Sequence, residues 1–173
     1  YKHRTDSSFY YLTGLQEEES AALIWSDGGK VRYQLFVRPR DPLMEQWNGY
    51  RLGPDGAKKT LSPDEAFVIS DLPKQVEEWF KKVPKGSNPR IYSNFTTHEE
   101  NFKSLRTITK NIVGHIRMGI AEASAYIEIL PYVRALRLVK EDYELKEMRK
   151  SAEINVKAHL ELMKKLKPGM AEY

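Results

Sequence analysis

A segment rich in arginines and carboxylates between Arg38 and Arg51 is the part of this sequence best suited to chemistry. Arg38, Arg40 and Arg51 could each bind a substrate carboxylate through two parallel hydrogen bonds. Ion pairs with Asp41 or Glu45 that fix the segment are the favoured interpretation. These two acids are four residues apart and would share a helix face. With no third ligand nearby, a metal site there is disfavoured.

The histidines do not show the spacing of a metal site. His98-Glu99 opens like a zinc-protease motif, but Phe102 stands where the second histidine is needed, so one helix face cannot hold the ion. His159 lies on a predicted apolar helix face, where a packed, hydrogen-bonded core histidine is favoured over a ligand. The sequence also contains neither a phosphate-binding glycine loop nor a Gly-x-Ser-x-Gly nucleophile motif. We therefore expect no catalytic centre in this sequence.

The composition is that of an ordinary soluble globular protein. Its 173 residues suggest one domain or one domain plus part of a second, with 40 % hydrophobic and 30 % charged residues. Tyr1 in place of Met predicts that residues are missing ahead of it. We expect neither a signal peptide nor a membrane span, and the absence of cysteine fits a cytoplasmic location. Since 28 basic residues are scattered among 24 acidic ones, we expect no nucleic-acid partner.

The elements that must position the arginine-rich segment form an alternating pattern of strands and helices, which predicts an α/β domain over about residues 1–120. A long helix with one apolar face follows and has little chain left to cover it, which predicts a truncated second domain. The predicted elements are a short helix or turn at Phe9–Leu12, strands at Ser20–Trp25 and Val31–Val37 joined by a glycine hairpin, a helix at Asp41–Trp47, a long loop through Gly49, Gly53, Pro54 and Gly56, a helix start at Ser62-Pro63-Asp64-Glu65, a helix at Asp71–Val83, a strand at Arg90–Ser93, a helix at Thr97–Lys110 capped by Thr97, a strand at Ile112–Met118, a helix at Tyr126–Val139 and a long helix at Glu141–Leu166.

Three stretches together form a recognisable pattern. They are Arg4, Ser7, Phe9, Tyr11, Leu12, Thr13 and Gly14; then Arg40, Asp41, Glu45, Trp47, Gly49, Arg51, Leu52, Gly53 and Ala57; and finally Arg137-Leu138-Val139-Lys140, Glu144, Ala152, Pro168-Gly169-Met170 and Glu172. This pattern resembles the aminopeptidase P family, also called Xaa-Pro aminopeptidases. The middle stretch is the most specific of the three.

The resemblance implies the N-terminal portion of a two-domain enzyme that hydrolyses the bond between an N-terminal residue and a following proline. It implies a mixed sheet flanked by helices over residues 1–122, a linker helix over 123–140, and the truncated start of a pita-bread metallopeptidase domain over 141–173. The full-length enzyme would carry two divalent metal ions, manganese in most members, on two aspartates, one histidine and two glutamates. All five would lie downstream of this sequence, so we expect the fragment to be inactive.

The resemblance also implies roles for Trp47 and Arg51 in substrate access, with Trp47 near a neighbouring subunit's active site in a homodimer or homotetramer. A core position for Trp47 within its own domain is the alternative. Two departures weaken the match: Leu130 stands where some members have arginine, and residues 114–124 show no family pattern. Two other functions stay open, a non-catalytic binding module of the same fold, as in a histone-chaperone subunit, and a prolidase or creatinase relative.

Overall fold

The computed structural model describes residues 4–84, 86–95, 99–113 and 123–170. Within them, a three-stranded sheet pairs β1 with β2 antiparallel and β2 with β3 parallel, while a second sheet pairs β4 with β5 parallel. The three-stranded sheet is therefore mixed, and the predicted α/β class is confirmed. The strands are β1 (Ala21–Asp27), β2 (Lys30–Val37), β3 (Glu65–Val68), β4 (Arg90–Ser93) and β5 (Ala125–Glu128), and the helices are α1 (Ser7–Thr13), α2 (Pro42–Asn48), α3 (Gly53–Leu61), α4 (Leu72–Lys82), α5 (Glu99–Val113), α6 (Leu130–Leu138) and α7 (Asp142–Lys165).

The β1–β2 hairpin forms where the sequence predicts it. Gly28 and Gly29 both have positive φ, 56° and 85°, which a tight two-residue hairpin turn requires and glycine adopts without steric cost. The register runs from Asp27 opposite Lys30 to Ala21 opposite Phe36. The C-terminal end of β2 therefore lies in the core, and the arginine-rich segment follows it directly.

The end of β2 is buried on both faces. Leu35 and Val37 pack with Ala57 of α3 and with Leu15, all nearly inaccessible to solvent. On the opposite face Phe36 stacks on Phe67 of β3, with ring centroids 5.7 Å apart. Strands covered on both faces have continuous apolar sequences, as Leu35-Phe36-Val37 does. This end of β2 is therefore a rigid base for the residues that follow it.

A second core forms under α4. Val76 and Phe80 are buried, and Leu23 of β1, Ile91 of β4 and Ile108 of α5 pack against them. Phe80 also makes an edge-to-face contact with Trp79 at 4.9 Å between centroids. The helix predicted over 71–83 is thus confirmed, and it contacts residues of both sheets.

Two predictions between residues 49 and 65 are wrong. The stretch predicted as a long loop contains α3, with Pro54 in its first turn, where the missing N–H costs nothing. Ser62, predicted as a helix N-cap, instead ends α3 in the left-handed conformation, with φ 51°. The chain from Glu65 is strand β3 because it pairs with β2, and the Asp64 carboxylate accepts the Tyr33 backbone N–H at 2.7 Å instead of capping a helix.

The predicted helix over 126–139 is wrong in its first turn. Tyr126 lies in β5, opposite Ile91 of β4, and the helix α6 starts only at Leu130. The Tyr126 hydroxyl contacts the buried Thr109 hydroxyl of α5 at 2.6 Å, which ties the strand to that helix. The predicted Thr97 cap lies outside the described residues. So does most of the strand predicted over 112–118, whose first two residues belong to α5.

The chain divides into two compact units, residues 1–130 and 131–173. The second unit contains α7, which is confirmed as one long helix and begins with a capping box in which Glu144 accepts the backbone N–H of Glu141 at 2.9 Å. His159 is exposed, so its predicted packing in a core is wrong within this chain. Across the described residues, no helix combines the length and the hydropathy needed to cross a bilayer.

Candidate functional site

The arginine-rich segment is built around the short helix α2. Its N-cap is Asp41, whose carboxylate accepts the backbone N–H groups of Leu43 and Met44, both at 3.2 Å. Pro42 occupies the first turn, where it is favoured. Gly49 ends the helix with φ 83°, and its N–H donates to the Glu45 carbonyl at 3.0 Å. The seven-residue helix is therefore fixed at both ends by local hydrogen bonds.

One arginine joins the two ends of this segment. Arg40 donates from Nε to Glu45 Oε1 at 2.6 Å and from Nη2 to Glu45 Oε2 at 2.9 Å, a bidentate pair. Its guanidinium carbon also lies 4.5 Å from the centroid of the Tyr50 ring, within range of a cation–π contact. Its Nη1 lies 3.4 Å from the Tyr50 hydroxyl, at the long end of a hydrogen bond. We call Arg40, Glu45 and Tyr50 the Arg40 clamp.

The charges in the clamp stabilise one another. Hydrogen bonds from the Arg40 side chain hold the pKa of Glu45 below its ordinary value, with smaller contributions from the Asp41 and Arg51 backbone N–H groups. The same side-chain hydrogen bond raises the pKa of Arg40. Only 11 % of the Glu45 side chain is exposed, which shields the carboxylate from water. The ion-pair interpretation favoured from the sequence is thus confirmed for Arg40.

Gly53 makes room for the clamp. It has φ +61°, and a Cβ added there would lie 2.7 Å from Arg40 Cγ and 3.3 Å from Arg40 Cδ, closer than real Cβ contacts allow. Any side chain at this position would displace Arg40 and strain the backbone as well. The presence of glycine at the last position of the Arg-Leu-Gly motif is therefore explained by its contact with Arg40.

The two remaining arginines have different surroundings. Arg38 lies near Glu18, with Nη1 to Oε2 at 3.5 Å, and so does not pair with Asp41 or Glu45 as predicted. Arg51 is partly buried, and its Nε is inaccessible and makes no hydrogen bond in the described part of the chain. The next residue, Leu52, donates its backbone N–H to Glu17 at 2.7 Å. Acidic residues of the 17–19 loop thus support this segment.

Glu17 and Tyr50 are members of this site that the sequence did not predict. Glu17 lies outside the Arg40–Ala57 stretch, and Tyr50 lies within it but is not one of its pattern residues. The signal for Glu17 is the run of three acids just ahead of β1, which complements the three arginines that follow β2. The signal for Tyr50 is an aromatic ring flanked by Gly49 and Arg51 in a predicted loop, where burial in a core is not expected.

Trp47 projects into solvent. It is 84 % exposed, and so the alternative of a core position is wrong. The apolar side chains of Leu43, Met44 and Tyr50 are also exposed, at 76 %, 44 % and 65 %. Four apolar side chains within eight residues form an exposed apolar surface, which marks interaction sites more often than bare scaffold. We call Leu43, Met44, Trp47 and Tyr50 the Trp47 surface.

No metal centre forms among residues 4–84, 86–95, 99–113 and 123–170, where no three histidine, aspartate or glutamate side chains come together. The two acids considered from the sequence have other partners, since Asp41 caps α2 and Glu45 binds Arg40. The described residues therefore do not fit a pair of divalent cations. What they do offer is a rigid support that presents an aromatic surface.

The fold and this surface define an α/β domain that presents a rigidly supported tryptophan. Comparisons with known proteins identify the family of this domain. The family model described as "Aminopeptidase P, N-terminal domain" matches residues 1–87, half of the chain. The chain belongs to this family, and the resemblance inferred from the motifs is confirmed.

Relatives match this chain over its full length. The Xaa-Pro aminopeptidases of Haemophilus influenzae and Escherichia coli are each 31 % identical over 100 % of this chain. Among solved structures, proline aminopeptidase P II from Yersinia pestis superposes with a TM-score of 0.87 at 28 % identity, over all of this chain and 39 % of that one. A zinc-substituted Escherichia coli aminopeptidase P in complex with product gives 0.88 at 29 % identity, over all of this chain and 38 % of that one.

The chain spans 36 % of the Haemophilus relative and 38 % of the Escherichia relative. All of this chain is matched, including the Trp47 surface and the Arg40 clamp. The activity of the longer relatives is therefore a proposal for this protein.

Proposed function

We propose that this chain is the N-terminal portion of a metal-dependent aminopeptidase that cleaves an N-terminal residue from a following proline. Its own task is to shape substrate access and subunit assembly, and Trp47 and Arg51 belong to the access surface. The observation that carries the proposal is Trp47 itself, 84 % exposed at the centre of an apolar surface on a helix fixed at both ends. A flat indole offers a proline-containing peptide a large apolar contact at low conformational cost.

The charge around Trp47 supports a peptide ligand. Arg51 follows it by four residues, and Arg38 and Arg40 precede it. Because Glu45 neutralises Arg40 and Glu18 lies near Arg38, Arg51 is the one of these three arginines that no carboxylate is seen to pair with in the described part of the chain. A peptide that passes Trp47 would meet this positive charge, which favours a carboxylate end.

Replacing Trp47 in the full-length enzyme tests this assignment. Trp47→Ala should lower kcat/KM about threefold to tenfold on peptides longer than the dipeptide, since an aromatic contact contributes about 0.5–1.5 kcal/mol. Metal content should not change. Trp47→Phe keeps a flat ring and should recover part of the loss, while Val31→Ala, at another exposed apolar residue, should have no effect. Equal kinetics for Trp47→Ala and the unaltered enzyme would remove Trp47 from the access surface.

Hydrolysis itself we assign to residues outside this sequence. When bound, two divalent cations, manganese by the family resemblance, would activate the attacking water and polarise the scissile carbonyl. The purified 173-residue chain should therefore not cleave Xaa-Pro peptides with or without added manganese. Turnover by this piece that a chelator abolishes and manganese restores would contradict the assignment.

We also propose a division of the chain that follows the family resemblance. Residues 1–122 would form the N-terminal domain, 123–140 a connecting segment that begins with β5 and continues into α6, and 141–173 the start of the pita-bread domain, in a cytoplasmic homodimer or homotetramer. The exposed Trp47 surface and the exposed apolar side chains of α7 support a protein that buries further surface in its functional state. Sedimentation of the full-length enzyme measures the oligomer, and a monomer at micromolar concentration would exclude the assembly.

A further inference from the structure

We propose that Arg40 is the positioning residue that holds Trp47 in its working orientation. The inference deepens the function proposed above and rests on it. Trp47 cannot hold itself in place, because 84 % of its surface touches no protein. Its orientation must therefore come from the backbone on either side. On both sides of Trp47, a nearby residue contacts the Arg40 guanidinium.

The two flanks of Trp47 are Glu45, two residues before it, and Tyr50, three residues after it. Arg40 binds Glu45 through Nε and Nη2 at 2.6 and 2.9 Å. It reaches Tyr50 with the ring centroid 4.5 Å from its central carbon. The clamp thus links Glu45 to Tyr50 across the turn at Gly49, and Trp47 lies in the stretch of chain between these two residues.

The clamp is joined to the rigid part of the domain. Arg40 follows the end of β2 by three residues, and Leu35 and Val37 at that end are fully buried. The packing of Gly53 against Arg40 Cγ restricts the stem of the side chain from the α3 side. A side chain held at its stem and at its head keeps one rotamer, which is what a support for a binding residue needs.

Only arginine can make all of these contacts. A lysine ammonium has no planar face and no fork, so it could reach Glu45 but could not also lie over Tyr50. Arg32 provides a matched comparison. It is exposed to a similar degree, 45 % against 48 % for Arg40, but makes a single 3.3 Å contact with the exposed Asp64, far along the chain from Trp47.

Fluorine NMR of the full-length protein labelled with 5-fluorotryptophan tests the inference. The Trp47 resonance is assigned by its loss in Trp47→Phe. Arg40→Ala and Arg40→Lys should both sharpen this resonance and change its chemical shift, while Arg32→Ala should leave it in place. Glu45→Gln keeps the size of the side chain and removes its charge, so it gives a second variant with a smaller shift in the same direction if Arg40→Ala folds poorly.

Kinetics then connect orientation with function. Arg40→Ala should raise KM for peptides longer than the dipeptide about threefold to tenfold, as Trp47→Ala does, with kcat nearly unchanged. The double variant should be no worse than Trp47→Ala alone, because both changes remove the same contact.

The outcomes separate the two ideas. An unmoved Trp47 resonance in both Arg40→Ala and Glu45→Gln, full recovery by Arg40→Lys, or additive losses in the double variant would overturn the positioning role. If Trp47→Ala leaves the cleavage of longer peptides unchanged while Arg40→Ala still moves the resonance, Arg40 positions Trp47 and the proposed access function is the part that fails.

Discussion

At the scale of single residues, two glycines in α3 differ in a way that gives opposite predictions. Gly53 has φ +61° and no room for a Cβ, while Gly56 has an ordinary φ and would place a Cβ 3.5 Å from Leu52, a normal contact. Gly53→Ala should destabilise the domain by about 1–3 kcal/mol, because it combines a left-handed backbone with a clash against Arg40. Gly56→Ala should stabilise it by about 0.5–1 kcal/mol through helix propensity. Urea unfolding of both variants measures the difference.

The sign of the two changes is the discriminating result. Equal effects at both positions would mean that Arg40 and the backbone adjust freely, and the steric role of Gly53 would be wrong. A destabilised Gly53→Ala that also shows the altered Trp47 resonance described above would tie the glycine to the clamp.

Single residues also mark how much of the site can be predicted from sequence. The Arg40–Glu45 pair follows from complementary charges on either side of a helix N-cap, both near in sequence. The exposure of Trp47 does not follow, because a tryptophan beside a glycine-rich segment fits a core or a surface equally well. The Glu17 contact with the Leu52 N–H joins residues 35 apart, and no local pattern predicts which loop meets which.

At the scale of elements, strand β3 is preceded by a carboxylate that acts in place of a backbone acceptor. Asp64 accepts the Tyr33 N–H at 2.7 Å, while its own N–H donates to the Tyr33 carbonyl at 2.9 Å. The hydrogen bond from Tyr33, followed by the Arg32 side chain, holds the pKa of Asp64 below its ordinary value. The carboxylate thus contributes stability only while it is ionised.

Asp64→Ala should destabilise the domain at neutral pH more than Arg32→Ala, because it removes the partner of a backbone N–H as well as an exposed ion pair. A group with a lowered folded-state pKa gives stability that is present above its unfolded pKa and lost as pH falls through the folded pKa. The difference between Asp64→Ala and the unaltered chain should therefore shrink on acidification. Urea unfolding at neutral and acid pH checks this, and a difference that grows in acid would contradict the role of Asp64.

Phe80 tests the core under α4. It is 2 % exposed and packs with Val76 and Trp79. Phe80→Ala should lower the free energy of unfolding by about 3–5 kcal/mol, enough to unfold a marginal domain, while Phe80→Leu, which leaves a smaller cavity, should cost clearly less. Thermal unfolding of the two variants gives the comparison. A Phe80→Ala variant as stable as the unaltered chain would mean that α4 does not organise this core.

The elements predicted correctly are those with local signals. The glycine pair specifies the β1–β2 turn, and the apolar period from Leu72 to Val83 specifies α4. The failures are β3 and β5, whose short segments carry good helix signals and become strands only through pairing with β2 and β4. Such pairing is a tertiary effect that overrides local preference. The helix α3 was missed because two glycines and a proline indicate a loop, although Pro54 lies where a helix tolerates it.

At the scale of the whole molecule, the two compact units are unequal in what they bury. The first unit contains both core clusters, while the described part of α7 buries none of its side chains. Apolar residues of the predicted α7 face are open to solvent, among them Met148 at 55 %, Val156 at 57 % and Met163 at 75 %. Exposed apolar area of this kind contributes nothing to folding until something covers it.

Amide hydrogen exchange of the 173-residue chain tests this difference. A single helix without tertiary packing is marginally stable in water, so amides across Asp142–Lys165 should exchange far faster than those of Leu35–Val37 in β2. The measurement is made at high dilution, with sedimentation confirming a monomer. In the full-length enzyme the same helix should become protected, because the proposed remainder of the pita-bread domain would cover its apolar face. Slow exchange of α7 in the monomeric chain would show that this helix is already packed, and the reason for expecting a covering domain would disappear.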